Sequence, residues 1–280
     1  MGSEMCIRDR SATCTENGVM TATCLNCGDK QEYVIPATGH IYDSEGVYTP
    51  PTCVEDGYTT YTCTVCGKAS VTKMEGKALG HVYKAQVTSP SKVNKNGTIT
   101  TTCIHCGKSS QTAIPAIKTI KLAQTKYQYS GSAYRPKVTV KDSQGNTIAA
   151  KNYTVSYSSN KNIGTAKVTI KFKGNYSGTV TKTFNIVPKN VGISEVTSKK
   201  KQIKFTWGRV KNCSGYQVQY STSKSFKSAK TVTVKNQKTC SATLKKLKSG
   251  KKYYIRVRAY KTVNGKKIYG NWSTTSKTCK

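Results

Sequence analysis

The stretch CVEDGYTTYTCTVCGKASVTKMEGKALGH, residues 53–81, decides how the first part of this chain folds, because it is one copy of an internal repeat. Three cysteines and a closing Gly-His pair occur in it in the same order as in the preceding copy, and the cysteines keep the same spacing. The matching positions are Cys53, Cys63, Cys66 and His81 in one copy and Cys14, Cys24, Cys27 and His40 in the other. This self-similarity indicates a repeat architecture.

A third copy is incomplete in a specific way. It keeps the positions Gly97, Cys103, Cys106, Gly107, Ile114 and Pro115. It carries Val93 where the first cysteine belongs and Thr119 where the histidine belongs. The joint loss indicates that the first cysteine and the trailing histidine serve one site, although a degenerate last copy is also common in repeat arrays.

Three cysteines and one histidine are the ligand count of a closed structural Zn²⁺ site. We therefore predict one zinc site at Cys14, Cys24, Cys27 and His40, and a second at Cys53, Cys63, Cys66 and His81. The third copy, with Cys103 and Cys106 alone, is expected to hold no such site. An alternative grouping uses the preceding histidine, so that His40 joins Cys53, Cys63 and Cys66, and His81 joins Cys103 and Cys106. The joint loss in the third copy favours the first grouping.

Disulfide bonding is the competing chemistry, because it is the default for cysteines in a secreted chain. Each CxxC pair would then close internally, or the first cysteine would bond to one of the two, and one thiol would be left over. Reduced or redox-active thiols are a third interpretation. His105, inside the third CxxC, is expected to be an exposed spacer.

The repeats are predicted at about residues 12–48, 49–86 and 87–117, and each has two short β-prone runs around its CxxCG turn. In the second copy these runs are Tyr58–Thr62 and Ala69–Met74. The first ten residues, MGSEMCIRDR, share no pattern with the repeats, and SEMCIRDR looks like a translated sequencing adapter from metagenomic reading frames. We interpret residues 1–10 as a non-native leader, with Cys6 outside the design, and the chain as truncated. Neither a signal peptide nor a membrane-spanning run is present in the sequence given.

From Ile117 onward alternating apolar and polar residues replace the cysteine pattern and predict β-strands. The alternating segments include Val138–Val140, Tyr153–Tyr157, Val168–Phe172 and Phe184–Ile186. The phrases NYTVSY and GTAKVTIKFKGNYSGT resemble bacterial Ig-like repeats of cell-surface proteins. The resemblance covers residues 118–187 and implies a compact β-sandwich.

The last part, residues 188–280, resembles a fibronectin type III domain. The resemblance rests on Trp207, the phrase LKKLKSGKKYYIRVRAY and the run from Gly270 to Ser273. It implies that Trp207 lies in the core and that Leu247 and Tyr253 form the tyrosine corner of that family. It also implies that Cys213 and Cys240 lie at the same end of the sandwich, where we predict a disulfide, with Cys279 at the other end.

Four further aromatic residues of this domain have two interpretations. They can be ordinary outward-facing residues of a sandwich, or they can line a surface on which sugars stack. They are Tyr254, Tyr260, Tyr269 and Trp272.

Charge is distributed unevenly along the chain. Residues 1–117 are neutral overall, whereas residues 118–280 hold thirty-six basic residues against Asp142 and Glu195 alone. The excess is scattered lysine without an arginine cluster or an aromatic RNA-binding run, so no specific nucleic-acid partner is predicted. The basic half is either a solvated lysine-rich surface or a surface for salt-sensitive binding to polyanions such as teichoic acid or acidic glycans.

Catalytic equipment is scarce. Residues 118–280 contain no histidine and only two carboxylates, and the chain has no GxSxG, phosphate-binding glycine loop or HExxH motif. The sequence therefore predicts an all-β, non-enzymatic protein with small cysteine-rich hairpin repeats followed by two β-sandwiches. We expect an extracellular or cell-surface spacer and adhesion platform of a Gram-positive bacterium. The alternative is a carbohydrate- or cell-wall-polyanion-binding accessory region of a larger secreted enzyme. A redox or metal-buffering protein is a third interpretation.

Overall fold

The computed structural model describes the backbone of residues 4–280 and the side chains of this range except those of residues 4–9 and 71–74. Apart from a 3₁₀ turn at Ala150–Asn152, the regular elements of the described chain are β-strands, which confirms the all-β prediction. Within this range no helix is long and apolar enough to cross a membrane.

Three small antiparallel sheets form the repeats, and each has three strands in the order of the chain. The strands are β1 (Glu4–Arg10), β2 (Gly18–Cys24), β3 (Lys30–Ile35), β4 (Val47–Thr49), β5 (Tyr58–Thr62), β6 (Ala69–Met74), β7 (Tyr83–Ser89), β8 (Gly97–Cys103) and β9 (Ser109–Ile114). The two predicted strands of the second copy are therefore confirmed. Each sheet has an additional first strand, and in the first sheet this strand belongs to the adapter-like segment.

A glycine begins the central strand of the first and third sheets and immediately precedes that of the second, because the chain passes very close to it. A Cβ atom on Gly18 would lie 2.4 Å from the backbone nitrogen of Ala12, and one on Gly97 would lie 2.4 Å from the backbone oxygen of Ser89. Such distances are far below van der Waals contact. Glycine at this position lets the segment with the first cysteine fold back against the central strand.

The first two repeats bury very little apolar surface. Over residues 10–86, outside the undescribed side chains 71–74, the buried hydrophobic residues are Cys14, Ala22, Cys53 and Cys63. Sheets this small cannot exclude enough water to be stable alone, and a metal or disulfide cross-link usually compensates. Sulfur atoms thus take the place of a hydrophobic core.

The next six strands form two sheets that enclose a continuous apolar core. The strands are β10 (Ile117–Leu122), β11 (Lys126–Gln128), β12 (Val138–Asp142), β13 (Tyr153–Ser158), β14 (Gly164–Phe172) and β15 (Thr179–Val187). One sheet pairs β10 with β12, and the other has the order β11-β15-β14-β13. Along β14, Val168 and Ile170 are fully buried whereas Lys167 and Lys171 are exposed, as the sequence alternation predicts.

The last eight strands form a second sandwich. They are β16 (Ile193–Lys199), β17 (Gln202–Trp207), β18 (Gly215–Ser221), β19 (Lys230–Val234), β20 (Ser241–Leu244), β21 (Lys252–Val263), β22 (Lys266–Tyr269) and β23 (Ser273–Thr278). One sheet has the order β16-β17-β20, and the other has the order β19-β18-β21-β22, with β23 also paired to β21.

Aromatic residues fill the core of this second sandwich. The ring of Trp207 packs edge-on against Tyr216 at a centroid distance of 5.2 Å and is almost fully buried, which confirms its predicted place. The Tyr216 hydroxyl accepts a hydrogen bond from the Val210 amide and donates one to the Gln237 carbonyl, each at 3.0 Å. The predicted tyrosine corner is also present, since the Tyr253 hydroxyl accepts a 3.0 Å hydrogen bond from the Lys248 amide.

The chain divides into two compact units. One unit contains the residues up to Gln86 together with Thr100–Gln111, and the other contains Val87–Ile99 and Thr112–Lys280. Part of the third copy therefore belongs to the same unit as the two sandwiches.

Replacing Tyr253 by phenylalanine should lower the free energy of unfolding of the second sandwich by about 1–2 kcal/mol, because the Lys248 amide loses its partner. Both tryptophans, Trp207 and Trp272, lie in this sandwich, so tryptophan fluorescence in a denaturant titration reports on it selectively. Tyr254→Phe is the matched control and should have little effect, since Tyr254 lies on the outer face. Equal destabilisation by both variants would contradict the capping role of Tyr253.

Candidate metal centres at the repeat junctions

Two clusters of metal-ligating side chains lie in the repeats. Site I consists of Cys14, His40, Cys63 and Cys66, and site II consists of Cys53, His81, Cys103 and Cys106. In each cluster the four ligand atoms lie within 4.8 Å of one another. Each site therefore combines the first cysteine and the histidine of one repeat with the CxxC pair of the next repeat.

Strand geometry explains why a repeat cannot complete a site alone. Cys14 precedes β2, and Cys24 is the last residue of β2. Seven residues of strand rise about 3.3 Å each, so the two ends are separated by about 20 Å. The first cysteine and the CxxC turn lie at opposite ends of their sheet, and each can meet only ligands from a neighbouring copy.

The first cysteine and the histidine of one repeat form what we call the donor half of a site. In the first copy the Thr38 amide donates to the Thr13 carbonyl at 3.0 Å, and the Ala37 amide donates to Asn17 Oδ1 at 2.8 Å. These bonds hold the segment before His40 against the turn that carries Cys14. The second copy repeats them, with Leu79 to Thr52 at 2.9 Å and Ala78 to Asp56 at 2.6 Å.

The CxxC turn forms the other half of a site, which we call the acceptor half and which supplies two cysteine ligands. In the second copy the Gly67 amide donates to the Cys63 carbonyl at 2.9 Å, and the Cys63 amide donates to the Lys68 carbonyl at 2.9 Å. Gly67 has φ of +71° with open space around it, so glycine is needed here for its backbone conformation and not for close packing. The third copy has the same turn at Cys103, where Gly107 has φ of +73°.

A main-chain hydrogen bond joins the two halves of each site. The Thr64 amide donates to the Ile41 carbonyl at 2.9 Å, and the Ile104 amide donates to the Val82 carbonyl at 2.9 Å. In both cases the residue after the first CxxC cysteine is bonded to the residue after the histidine. The histidine is thus placed beside the cysteine pair by the backbone.

The distances fit a tetrahedral zinc ion. Bonds of about 2.3 Å to sulfur and about 2.0–2.1 Å to nitrogen place two sulfur ligands about 3.8 Å apart, and a sulfur and a nitrogen ligand about 3.5 Å apart. The Sγ atoms of Cys14 and Cys63 lie 3.9 Å apart, and those of Cys53 and Cys103 lie 3.8 Å apart. His40 Nδ1 lies 3.3 Å from Cys66 Sγ, and His81 Nδ1 lies 3.4 Å from Cys106 Sγ. Both clusters can therefore hold a metal ion.

The thiols of each cluster differ in acidity. Burial and the neighbouring thiols raise the pKa of Cys14 to about 11 and that of Cys53 to about 12. In the CxxC turn, the backbone amide of Cys66 donates to Cys63 Sγ, and the resulting stabilisation of the thiolate lowers the pKa of Cys63 to about 5. The Cys106 amide acts in the same way on Cys103, whose pKa is also lowered to about 5.

The structure groups the ligands differently from the sequence prediction. The predicted sets placed Cys24, Cys27 and His40 with Cys14, and Cys63, Cys66 and His81 with Cys53, whereas the donor and acceptor halves of each site come from consecutive copies. The alternative grouping correctly joined His40 to Cys63 and Cys66, but with Cys53 in place of Cys14. The pairing of the first cysteine with its own histidine is correct. The signal that identifies the grouping is the strand length between Cys14 and Cys24.

The third copy, which is expected to hold no site of this kind, contributes Cys103 and Cys106 to the cluster of site II. His105 is exposed and outside the cluster, as expected. At the position of the first cysteine the third copy instead contacts the first sandwich through its backbone. The Ser91 amide donates to the Asn175 carbonyl, and the Asn94 amide donates to the Ile117 carbonyl, each at 2.9 Å.

The remaining predicted cysteine sites are less closely defined. Cys213 and Cys240 both contact the core of the second sandwich, but their thiols are free, so the disulfide between them stays a prediction. The Cys213 thiol donates to the Val210 carbonyl at 3.2 Å. Cys279 is buried elsewhere in the same core, near the carbonyls of Lys199 and Gln202. The side chain of Cys6 lies outside the described residues.

Arginines lie against two of the four aromatic rings that the sequence offers for sugar stacking. The Arg256 and Arg258 guanidinium groups lie 4.4 and 4.1 Å from the ring centroid of Trp272. Arg258 also lies 3.9 Å from the centroid of Tyr269. Gln217 and Gln219 each accept two hydrogen bonds from these arginines. Cation–π contacts thus engage the rings of Trp272 and Tyr269, and sugar stacking on this domain stays a prediction.

Zinc affinity at both sites should fall as pH is lowered. At neutral pH the thiols of Cys14 and Cys53, with raised pKa, hold protons that a bound metal must displace, whereas Cys63 and Cys103 are already thiolates. At least one proton is therefore released per site, and affinity should drop about tenfold or more per pH unit between about pH 8 and about pH 6. Competition titration with a chromophoric chelator at each pH measures the zinc affinity. An affinity independent of pH in this range would contradict the thiol assignment.

Comparison with known proteins identifies the two sandwiches. Residues 136–187 match the family model of the bacterial Ig-like domain (group 3), and residues 187–276 match that of the fibronectin type III domain. None of the curated proteins matches the chain.

Among solved structures, the chain is similar to the FN1–FN3 domains of chicken CNTN1, with 16% identity and a TM-score of 0.31 over 99% of this chain and 98% of that one. A two-domain fibronectin type III segment of chicken tenascin has 13% identity and a TM-score of 0.31 over 70% of this chain and 97% of that one. These two likenesses are weak, and no conclusion rests on them. The family models and the cysteine clusters together give the organisation of the chain: CxxC repeats, a bacterial Ig-like domain and a C-terminal fibronectin type III domain.

Proposed function

We propose that this chain is a non-enzymatic spacer and adhesion platform of the bacterial cell surface, with repeats cross-linked by structural Zn²⁺. The Ig-like and fibronectin type III domains are non-catalytic module types, typical of extracellular and surface proteins. They support a modular spacer or adhesion role. The observation that carries the zinc assignment is the pair of Cys₃His clusters, each built from two consecutive repeats.

Zinc is favoured over other metals by the ligand set. Three thiolates and one imidazole in a tetrahedral arrangement are typical of structural zinc, whereas calcium and magnesium require oxygen ligands. Four protein ligands also leave no open position for a substrate, so the ion would serve stability and not catalysis. Because each ion would join two consecutive repeats, it would stiffen the repeat array.

Zinc analysis of the full chain should give about two equivalents, one for each cluster. Cys14→Ser should lower the content to about one equivalent because it removes a ligand of site I. Cys27→Ser is the matched control and should leave it at two, since Cys27 belongs to neither cluster. Inductively coupled plasma mass spectrometry on protein purified without added chelator measures the content.

Two outcomes would contradict the zinc proposal. One is the absence of zinc together with intact disulfides from Cys14 to Cys63 and from Cys53 to Cys103 in non-reducing peptide mapping. The other is loss of one equivalent in both the Cys14→Ser and the Cys27→Ser variants, which would instead support sites confined to single repeats.

A second candidate function is binding of polyanions by the two sandwiches. The whole net charge of +34 lies in residues 118–280, whereas residues 1–117 are neutral overall. Lysines such as Lys167 and Lys171 on β14 are exposed to solvent. Asp142 is the single carboxylate-bearing residue of their domain. Such a surface would attract an anionic glycan or a wall polymer in a salt-dependent way.

Retention on immobilised heparin, used as a polyanionic glycan, should be strong at low salt and lost at high salt. The double variant Lys167→Glu, Lys171→Glu should elute at lower salt than the parent chain. The control Lys77→Glu, Lys84→Glu makes the same charge change in the repeats and should elute closer to the parent. Equal elution of parent and both variants, or retention independent of salt, would rule out this function.

A further inference from the structure

We propose that Cys24 and Cys27 form the acceptor half of a third metal site, whose donor half is another repeat unit of the same Cys and Gly-His kind on their N-terminal side. The inference rests on the zinc function proposed above and extends it to a part of the chain outside sites I and II. It makes the repeats a directional array that can be lengthened at one end.

The turn at Cys24 has the same geometry as the two turns that take part in the sites. The Gly28 amide donates to the Cys24 carbonyl at 2.9 Å, and the Cys24 amide donates to the Asp29 carbonyl at 2.9 Å. The corresponding bonds at Cys63 are also 2.9 Å each. Gly28 has φ of +77°, close to the +71° of Gly67. The first copy therefore presents its cysteine pair in the conformation that sites I and II use.

Strand pairing places the missing ligand. In the second copy the residue that pairs with Cys63 is Tyr42, two positions after the ligand His40. In the first copy the residue that pairs with Cys24 is Glu4 of β1. A ligand equivalent to His40 would therefore lie two positions before the residue that pairs with Cys24. The strand pairing at Cys24 thus matches the pairing at Cys63, where site I lies.

Space for a partner is present beside the pair. A cavity of about 420 Å³ is lined by Cys24, Cys27, Asp29 and Lys30, together with Ala22 and Gln31. Cys27 is exposed, as are Cys66 and Cys106 at their sites. The cavity is large enough for the side chains of one cysteine and one histidine.

The order of the halves along the chain gives the array its direction. Every donor half serves a CxxC pair that follows it in sequence, and every acceptor half takes ligands from a repeat that precedes it. The third copy has lost the donor half, with Val93 and Thr119 in its place, and a sandwich follows it. The first copy retains the acceptor half. By this order, the donor half for Cys24 and Cys27 would belong to a repeat on their N-terminal side.

The test is a chain in which residues 11–49 replace residues 2–10 ahead of Ser11. The inserted histidine then has the same separation from Cys24 as His40 has from Cys63. Zinc content should rise from about two equivalents in the parent to about three. In the lengthened chain, Cys24→Ser together with Cys27→Ser in the original copy should return the zinc content to about two equivalents. The same two changes in the parent should leave its zinc content unchanged.

Alkylation by iodoacetamide followed by peptide mass spectrometry provides a second readout. In the zinc-loaded lengthened chain, Cys27 of the original copy should be protected from alkylation to the same degree as Cys66 and Cys106. Protection of Cys66 and Cys106 also shows that the repeats are folded. In the parent Cys27 should react.

Two zinc equivalents and a reactive Cys27 in a lengthened chain with protected Cys66 and Cys106 would overturn the inference while leaving sites I and II in place. A parent chain that binds no zinc would instead overturn the proposed function.

Discussion

The length of one β-strand is the constraint on which the repeat region depends. Because β2, β5 and β8 extend for about 13–20 Å, the first cysteine of a repeat lies at the opposite end of the sheet from its own CxxC turn. Four ligands can meet only where two repeats meet. The clusters of metal-ligating side chains therefore lie at the junctions between repeats, as a direct consequence of placing ligands at both ends of a sheet.

The two halves of the chain reach stability by different means. Each sandwich has its own apolar core, in which residues such as Phe184 and Phe205 are almost fully excluded from water. In the described part of the first two repeats the buried hydrophobic residues are mainly cysteines. Small sheets of this kind gain stability from bound metal or cross-links. The third copy lies between these cases, since it supplies Cys103 to site II and bonds through Ser91 to the first sandwich.

Side-chain contacts also narrow the interpretation of the fibronectin type III domain. The half-buried rings of Trp272 and Tyr269 lie against Arg256 and Arg258. The arginines are themselves fixed by Gln217 and Gln219, so this face is a closed ladder of cation–π and hydrogen-bond contacts. Most of the positive charge of the sandwiches is carried by lysines.

The sequence by itself determined the strands, the two sandwich types, the core position of Trp207 and the tyrosine corner at Tyr253, because alternation and local turn chemistry act over a few residues. It also predicted, from Val93 and Thr119, that the first cysteine and the histidine of a repeat serve one site, and these two side chains lie in the same cluster. Only the tertiary structure decided which CxxC pair completes each site. The repeat pattern along the chain is compatible with all of the groupings, whereas the choice depends on which ends of neighbouring sheets lie side by side in space.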